Sequence, residues 1–110
     1  MELMIIVLNK TDLLSELLTE FVDNDLSGAT VLDSSGMAHI VSNEYPMFSM
    51  FAELESERKE NSKTILKLVK NAEERERTEN IVEKVIGDLR EPDTAIVISV
   101  PVSSAKGINY

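Results

Sequence analysis

GATVLDSSGM, residues Gly28–Met37, is the stretch whose reading decides the fold. Thr30 and Val31 are β-branched and Ser34-Ser35-Gly36 is a polar break, so Ala29–Asp33 reads as a short strand running into a turn. Gly28 supplies the backbone freedom that a strand entry can demand. Upstream, Leu13, Leu14, Leu17, Leu18, Phe21 and Val22 form one stripe at helical period, with Ser15, Glu16, Thr19, Glu20 and Asp23 opposite, which predicts an amphipathic helix over Asp12–Asn24. Thr11 is expected to cap it, its hydroxyl accepting from an orphan N–H of the first turn. Before the helix, Leu3–Leu8 (LMIIVL) is an unbroken apolar run. Such a run suits a strand covered on both sides, here by a helix on one and a partner subunit on the other.

The same unit recurs downstream. Thr64–Val69 (TILKLV) predicts a third strand, with Leu66 and Leu68 on one face and Ile65 and Val69 on the other, where Lys67 interrupts them. Ala72–Leu89 predicts a second helix whose Ile81, Val82, Val85, Ile86 and Leu89 repeat the stepping of the first, with Glu73/Arg77 and Arg75/Glu79 as i,i+4 charge pairs. Ala95–Val102 (AIVISVPV) predicts the last strand, and Pro101, which lacks an N–H, belongs at a sheet edge or strand end. Two strand–helix–strand units make an α+β fold, a ferredoxin-like βαβ–βαβ sandwich with a four-stranded antiparallel sheet and two helices on one face. The other face is left without cover, and since the outer runs are apolar on both sides it is expected to be buried by self-association into a closed oligomer.

The chain has 110 residues, 43% hydrophobic and 28% charged, which fits a single domain over residues 1–110. Nothing approaches the roughly 20 apolar residues of a membrane span, and no basic preface leads the first apolar run, so the expected compartment is the cytoplasm. The absence of cysteine excludes disulfides and thiolate chemistry. Eleven Lys and Arg against twenty Asp and Glu give a net charge of −9, with no basic patch, so nucleic acid is not an expected partner.

Between the units, an insertion spanning about residues 37–62 is too long for a plain connection, since those seldom exceed about 12–15 residues. Pro46 suits a first helical position and Met47, Phe48, Phe51 and Leu54 cluster at helical spacing, predicting an extra helix over Met47–Lys59, or else a loop. Met47, Met50, Phe48 and Phe51 are either a partner-docking face or a face packed on the domain itself. His39, the sole histidine, is a candidate ligand contact or a plain surface residue. With Glu44 and Glu53 it lacks the close ligand spacing of a metal site, so none is expected. No carboxylate pair, serine triad or G-x-x-x-x-G-K loop is present, and the chain is not expected to be an enzyme.

GATVLDSSGM, Asn61-Ser62-Lys63-Thr64-Ile65, Gly87-Asp88-Leu89 and Val97–Val102 with Pro101 together resemble the PII family of nitrogen-regulatory signalling proteins, and more closely its shorter PII-like relatives. The resemblance implies a non-catalytic regulator, a homotrimer whose intersubunit clefts bind adenine nucleotides. The insertion, like the family's T-loop, would dock on a membrane transporter or a regulatory enzyme. By position, the T-loop base falls on Gly36, Met37, Ala38, His39 and Ile40, the phosphate turn on Asp93, Thr94, Ala95 and Ile96, and the basic tail near Lys106. Gly36, Met37, His39, Thr94 and Lys106 are thus the implied ligand contacts, and Tyr45, Met47, Phe48 and Phe51 the implied docking residues. The phosphate turn lacks its glycines and lysine, which implies ADP or AMP rather than ATP. The alternative is an interaction module of the same fold that has lost ligand binding.

Overall fold

The computed structural model describes residues 1–37, 40, 41 and 61–108. The extra helix predicted over Met47–Lys59 lies outside the described residues. The chain runs β1 (Glu2–Leu8), a 3-10 turn (Thr11–Leu13), α1 (Leu14–Asp23), β2 (Thr30–Asp33), β3 (Lys63–Val69), α2 (Ala72–Ile86) and β4 (Ala95–Pro101). The four strands form one sheet in the order β2-β3-β1-β4, and every neighbouring pair is antiparallel. Each helix joins two strands that are not neighbours, so the two units interleave to give the expected ferredoxin-like sandwich.

Strand alternation fixes what each side of the sheet carries. Met4, Ile6 and Leu8 of β1 and Ile65 and Val69 of β3 are fully buried. The core they line includes Leu17 and Phe21 of α1, Ile81, Val82 and Ile86 of α2, and Ala95 of β4. Both helices therefore cover one side. Register places Leu3, Ile5 and Val7 on the other side, beside Val100, Ile98 and Ile96 of β4 and opposite Leu68, Leu66 and Thr64 of β3. Thr30 and Leu32 of β2 continue that side past β3. Pro101 sits where both expectations put it, as the last residue of an edge strand.

Helix ends depart from the sequence reading in instructive ways. Thr11 does not cap α1: the chain first makes a 3-10 turn, and neither that turn nor α1 has a side-chain cap. The cause is non-local, since the N–H groups of Asn9 and Lys10 both donate to the Thr94 carbonyl, at 2.9 and 3.2 Å, and this fixes the entry. At its other end α1 closes with a Schellman motif, Leu26 N–H donating to Phe21 O at 2.8 Å and Asp25 N–H to Val22 O at 3.2 Å. Asp25 holds the left-handed position at φ 57°, where glycine is the usual choice. Helix α2 starts at a true cap, Asn71 Oδ1 accepting from Glu74 N–H at 2.9 Å. It ends at Ile86, not Leu89, because Gly87 turns the chain away at φ 101°. The expected pairs Arg75–Glu79 and Arg77–Glu73 form along α2, at 3.8 and 3.9 Å.

Lys67, which broke the pattern of β3, is 2% exposed and points into the helix side. Its ammonium donates to the carbonyls of Leu26 and Gly28 in the α1–β2 connection and lies 5.3 Å from the centre of the Phe21 ring. Burial pulls its pKa below the ordinary lysine value, and Glu74 opposes that effect.

Candidate functional site

Asp33, Lys63, Leu8 and Ala95 stand in register across one end of the sheet. Three connections therefore gather there: the base of the insertion, the β1–α1 turn, and the turn before β4. The insertion's base is clasped by hydroxyls. Ser34 N–H donates to Ser62 O at 3.0 Å, the Ser34 and Ser62 hydroxyls are 2.7 Å apart, and Thr64 Oγ1 donates to Ser34 Oγ at 2.8 Å. On the helix side of the same strands, Lys63 pairs with Asp33.

On the far side of that end, residues 87–94 form a tight turn. The Thr94 hydroxyl donates to Glu91 O at 2.9 Å, and Asp93 takes φ 62° to allow it. Arg90 Nη2 meets Asp88 Oδ2 at 2.9 Å, and Arg90 N–H caps Asp88 Oδ1 at 2.9 Å. The Arg90 side chain, and then its N–H, hold the Asp88 carboxyl below the ordinary carboxylate range. A carboxylate so stabilised is a poor proton acceptor. Lys10 reaches across to donate to Ile86 O at 3.2 Å, where a cation meets the negative end of α2. Beside it, Glu83, Gly87, Asp88, Leu89 and Arg90 line an open depression of about 510 Å³.

The residues implied as ligand contacts are placed as follows. Gly36 lies just beyond the clasp, its carbonyl accepting from Ile40 N–H at 3.2 Å, and Met37 is exposed. Thr94 is 2% exposed, with both its hydroxyl and its carbonyl engaged. Lys106 follows a strand that runs away from this end: Val102 N–H donates to Met1 O at 3.1 Å, at the sheet's opposite end. Within one chain, Gly36 and Met37 stand on the β2 side and Thr94 on the β4 side. Three strand spacings, about 14 Å, separate those edges. His39, Tyr45, Met47, Phe48 and Phe51 lie outside the described residues.

Sequence reasoning missed Lys10, the Ser34–Ser62–Thr64 hydroxyl chain and the Asp88–Arg90 pair. The i,i+2 spacing of Asp88 and Arg90 around a turn was the one local signal. Lys10 bonds a carbonyl far away in sequence, which no local pattern announces. Among the described residues no group of three His, Cys, Asp or Glu is placed to hold a metal ion. No described helix is long and apolar enough to cross a membrane. Compared with models of known protein families and with curated protein sequences, the chain has no match in either.

Proposed function

We propose that this chain is a PII-like regulatory protein of the cytoplasm, without chemistry of its own. In this reading it works as a homotrimer that binds an adenine nucleotide, ADP or AMP rather than ATP, in clefts between subunits. The insertion at about residues 37–62 contacts a partner protein, a membrane transporter or a regulatory enzyme. The observation that supports this best is the gathering of the insertion's base and the 87–94 turn at one end of the sheet, on opposite edges. Two walls too far apart to meet in one chain suit a cleft completed by a second copy. A less charged nucleotide fits because the cations at this end are already engaged: Lys10 on Ile86 O, Lys63 on Asp33 and Arg90 on Asp88. The same engagement favours a second reading, an interaction module of this fold that binds no ligand.

Calorimetric titration with AMP, ADP, ATP and cyclic dinucleotides separates the two. Saturable binding of AMP or ADP, tighter than ATP, is the expected result. Silence from every nucleotide overturns the ligand reading and leaves the interaction module.

A further inference from the structure

From Ser27 to Asp33 every residue is exposed, whereas β1 and β3 each bury three side chains. No residue of β2 belongs to the core. Val31 is 37% exposed and the Asp33 side chain 81%, so β2 is open even on the side of the sheet that carries the helices. A strand without buried side chains rests on its backbone ladder and on the polar contacts at its two ends. Register fixes that ladder. Ser34 N–H donates to Ser62 O, and bonded pairs in an antiparallel ladder recur at every second residue, so Leu32–Thr64 and Thr30–Leu66 are the next two. The N–H groups of Thr64 and Leu66 therefore point at β2, while those of Ile65 and Lys67 point at β1. At the far end of β2, Thr64 Oγ1 donates to Ser34 Oγ at 2.8 Å and Ser34 Oγ lies 3.1 Å from Ser62 O. At the near end, the Lys67 ammonium donates to Gly28 O at 3.2 Å. Leu26, two residues earlier, is buried in the core. Gly28, at φ 99°, stands where that buried connection gives way to the exposed strand.

We propose that β2 is a latched strand, one that unpairs from β3 as a unit about Gly28 while the other three strands and both helices stay folded. Lys67 latches its near end, and the Ser34, Ser62 and Thr64 hydroxyls latch its far end. Opening gives up hydrogen bonds that water replaces and no core burial, which sets its free energy well below that of global unfolding. The Lys63–Asp33 pair is exposed and adds little to the far latch. When β2 opens, the segment from Ser34 to Gly36 is freed, and the backbone of Thr64 and Leu66 becomes an unpaired edge. The inference rests on the ladder and its end contacts and is independent of the proposed function.

The test is native-state hydrogen exchange of the full chain, read by nuclear magnetic resonance in low denaturant, on the wild type, Ser34→Ala and Ile81→Val. In the wild type, Thr64 and Leu66 should share one opening constant, at least about 10-fold above that of Ile65 and Lys67, with a weaker dependence on denaturant. Ser34→Ala removes a latch that the open strand and the unfolded chain both lack. All four amides should then speed up by the same factor, about 2- to 12-fold for the loss of a net hydrogen bond. Ile81→Val thins a core that the open strand leaves intact, so Ile65 and Lys67 should speed up while Thr64 and Leu66 keep their wild-type rates. One opening constant for all four amides overturns the inference, as does Thr64 opening apart from Leu66. So does Thr64 or Leu66 responding to Ile81→Val, or Ser34→Ala exchanging as the wild type does.

Discussion

Replacing Lys67 with methionine tests how the edge of the sheet is held. Methionine is unbranched and only one heavy atom shorter than lysine, so it fills most of the same space, but it removes every donor and the cation over Phe21. The Leu26 carbonyl, whose bond to Lys67 is buried, then loses its partner, and the half-buried Gly28 carbonyl loses another. Orphaning a buried acceptor costs about 1–3 kcal/mol, less where water can reach it, and losing the cation over the ring costs about 0.5–1 kcal/mol more. Against this, the ammonium no longer has to be desolvated. The net expectation near neutral pH is a loss of about 2 kcal/mol. The sign with pH is the sharper test. Burial lowers the folded-state pKa of Lys67 below 10.5, so the unfolded chain binds that proton more tightly than the folded one. Stability from this residue therefore rises with pH between the lowered value and 10.5, and is complete above it. Denaturant titrations of both proteins at equal concentration, from neutral to alkaline pH, should show the methionine penalty widening as pH rises. A variant as stable as the wild type near neutral pH, with a parallel pH profile, refutes the assignment of Lys67 as the donor that holds the α1–β2 connection.

Asp25→Gly should stabilise the fold by about 1 kcal/mol, because glycine takes the left-handed Schellman position without strain and removes a negative charge from the negative end of α1. Thermal unfolding reads this as a rise of about 4–8 °C, and an unchanged midpoint would show that Asp25 carries a compensating contact. Nuclear magnetic resonance titration should find the Asp88 carboxyl below its ordinary range in the wild type and much closer to it in Arg90→Ala, since the variant loses the guanidinium, the first cause of the lowering. The backbone bond persists in the variant, so a small residual lowering is expected.

What the residues disclose on their own depends on whether the deciding contacts are local. Leu3–Leu8 and Ala95–Val102 are legible as strands because a short apolar run is a local property, and the structure builds the sheet in the order the repeated unit implies. The stop of α2 moved from Leu89 to Ile86 although Gly87 stood in plain view, because the apolar period ran on through Leu89 and outweighed it. The start of α1 was misread for a different reason: Thr11 has good cap chemistry, but the Thr94 carbonyl, far along the chain, already held the entry. Lys67 was visible as an interruption, while its carbonyl partners became apparent only once α1 and β3 were packed. The candidate site shows the same limit. Its turn before β4 was located from Pro101, yet nothing local told that Thr94 would be sealed beneath it.

The register of β1 has a consequence for how the chain comes to be folded. Glu2 pairs with Val69 on one side and Pro101 on the other, so the first strand is the centre of the sheet and both its neighbours come late. While the chain emerges from the ribosome, β1 and α1 can form a helix over an unpaired strand, and β3 can later close one edge. The other edge waits for β4, made after the other three strands of the sheet. Closure of the sheet is thus postponed until Ala95–Pro101 is made, and a chain cut before Ala95 exposes the backbone of its most aliphatic strand. Such an exposed strand edge is a template for pairing with other chains, which makes the synthesis of β4 the step that protects β1 from aggregation.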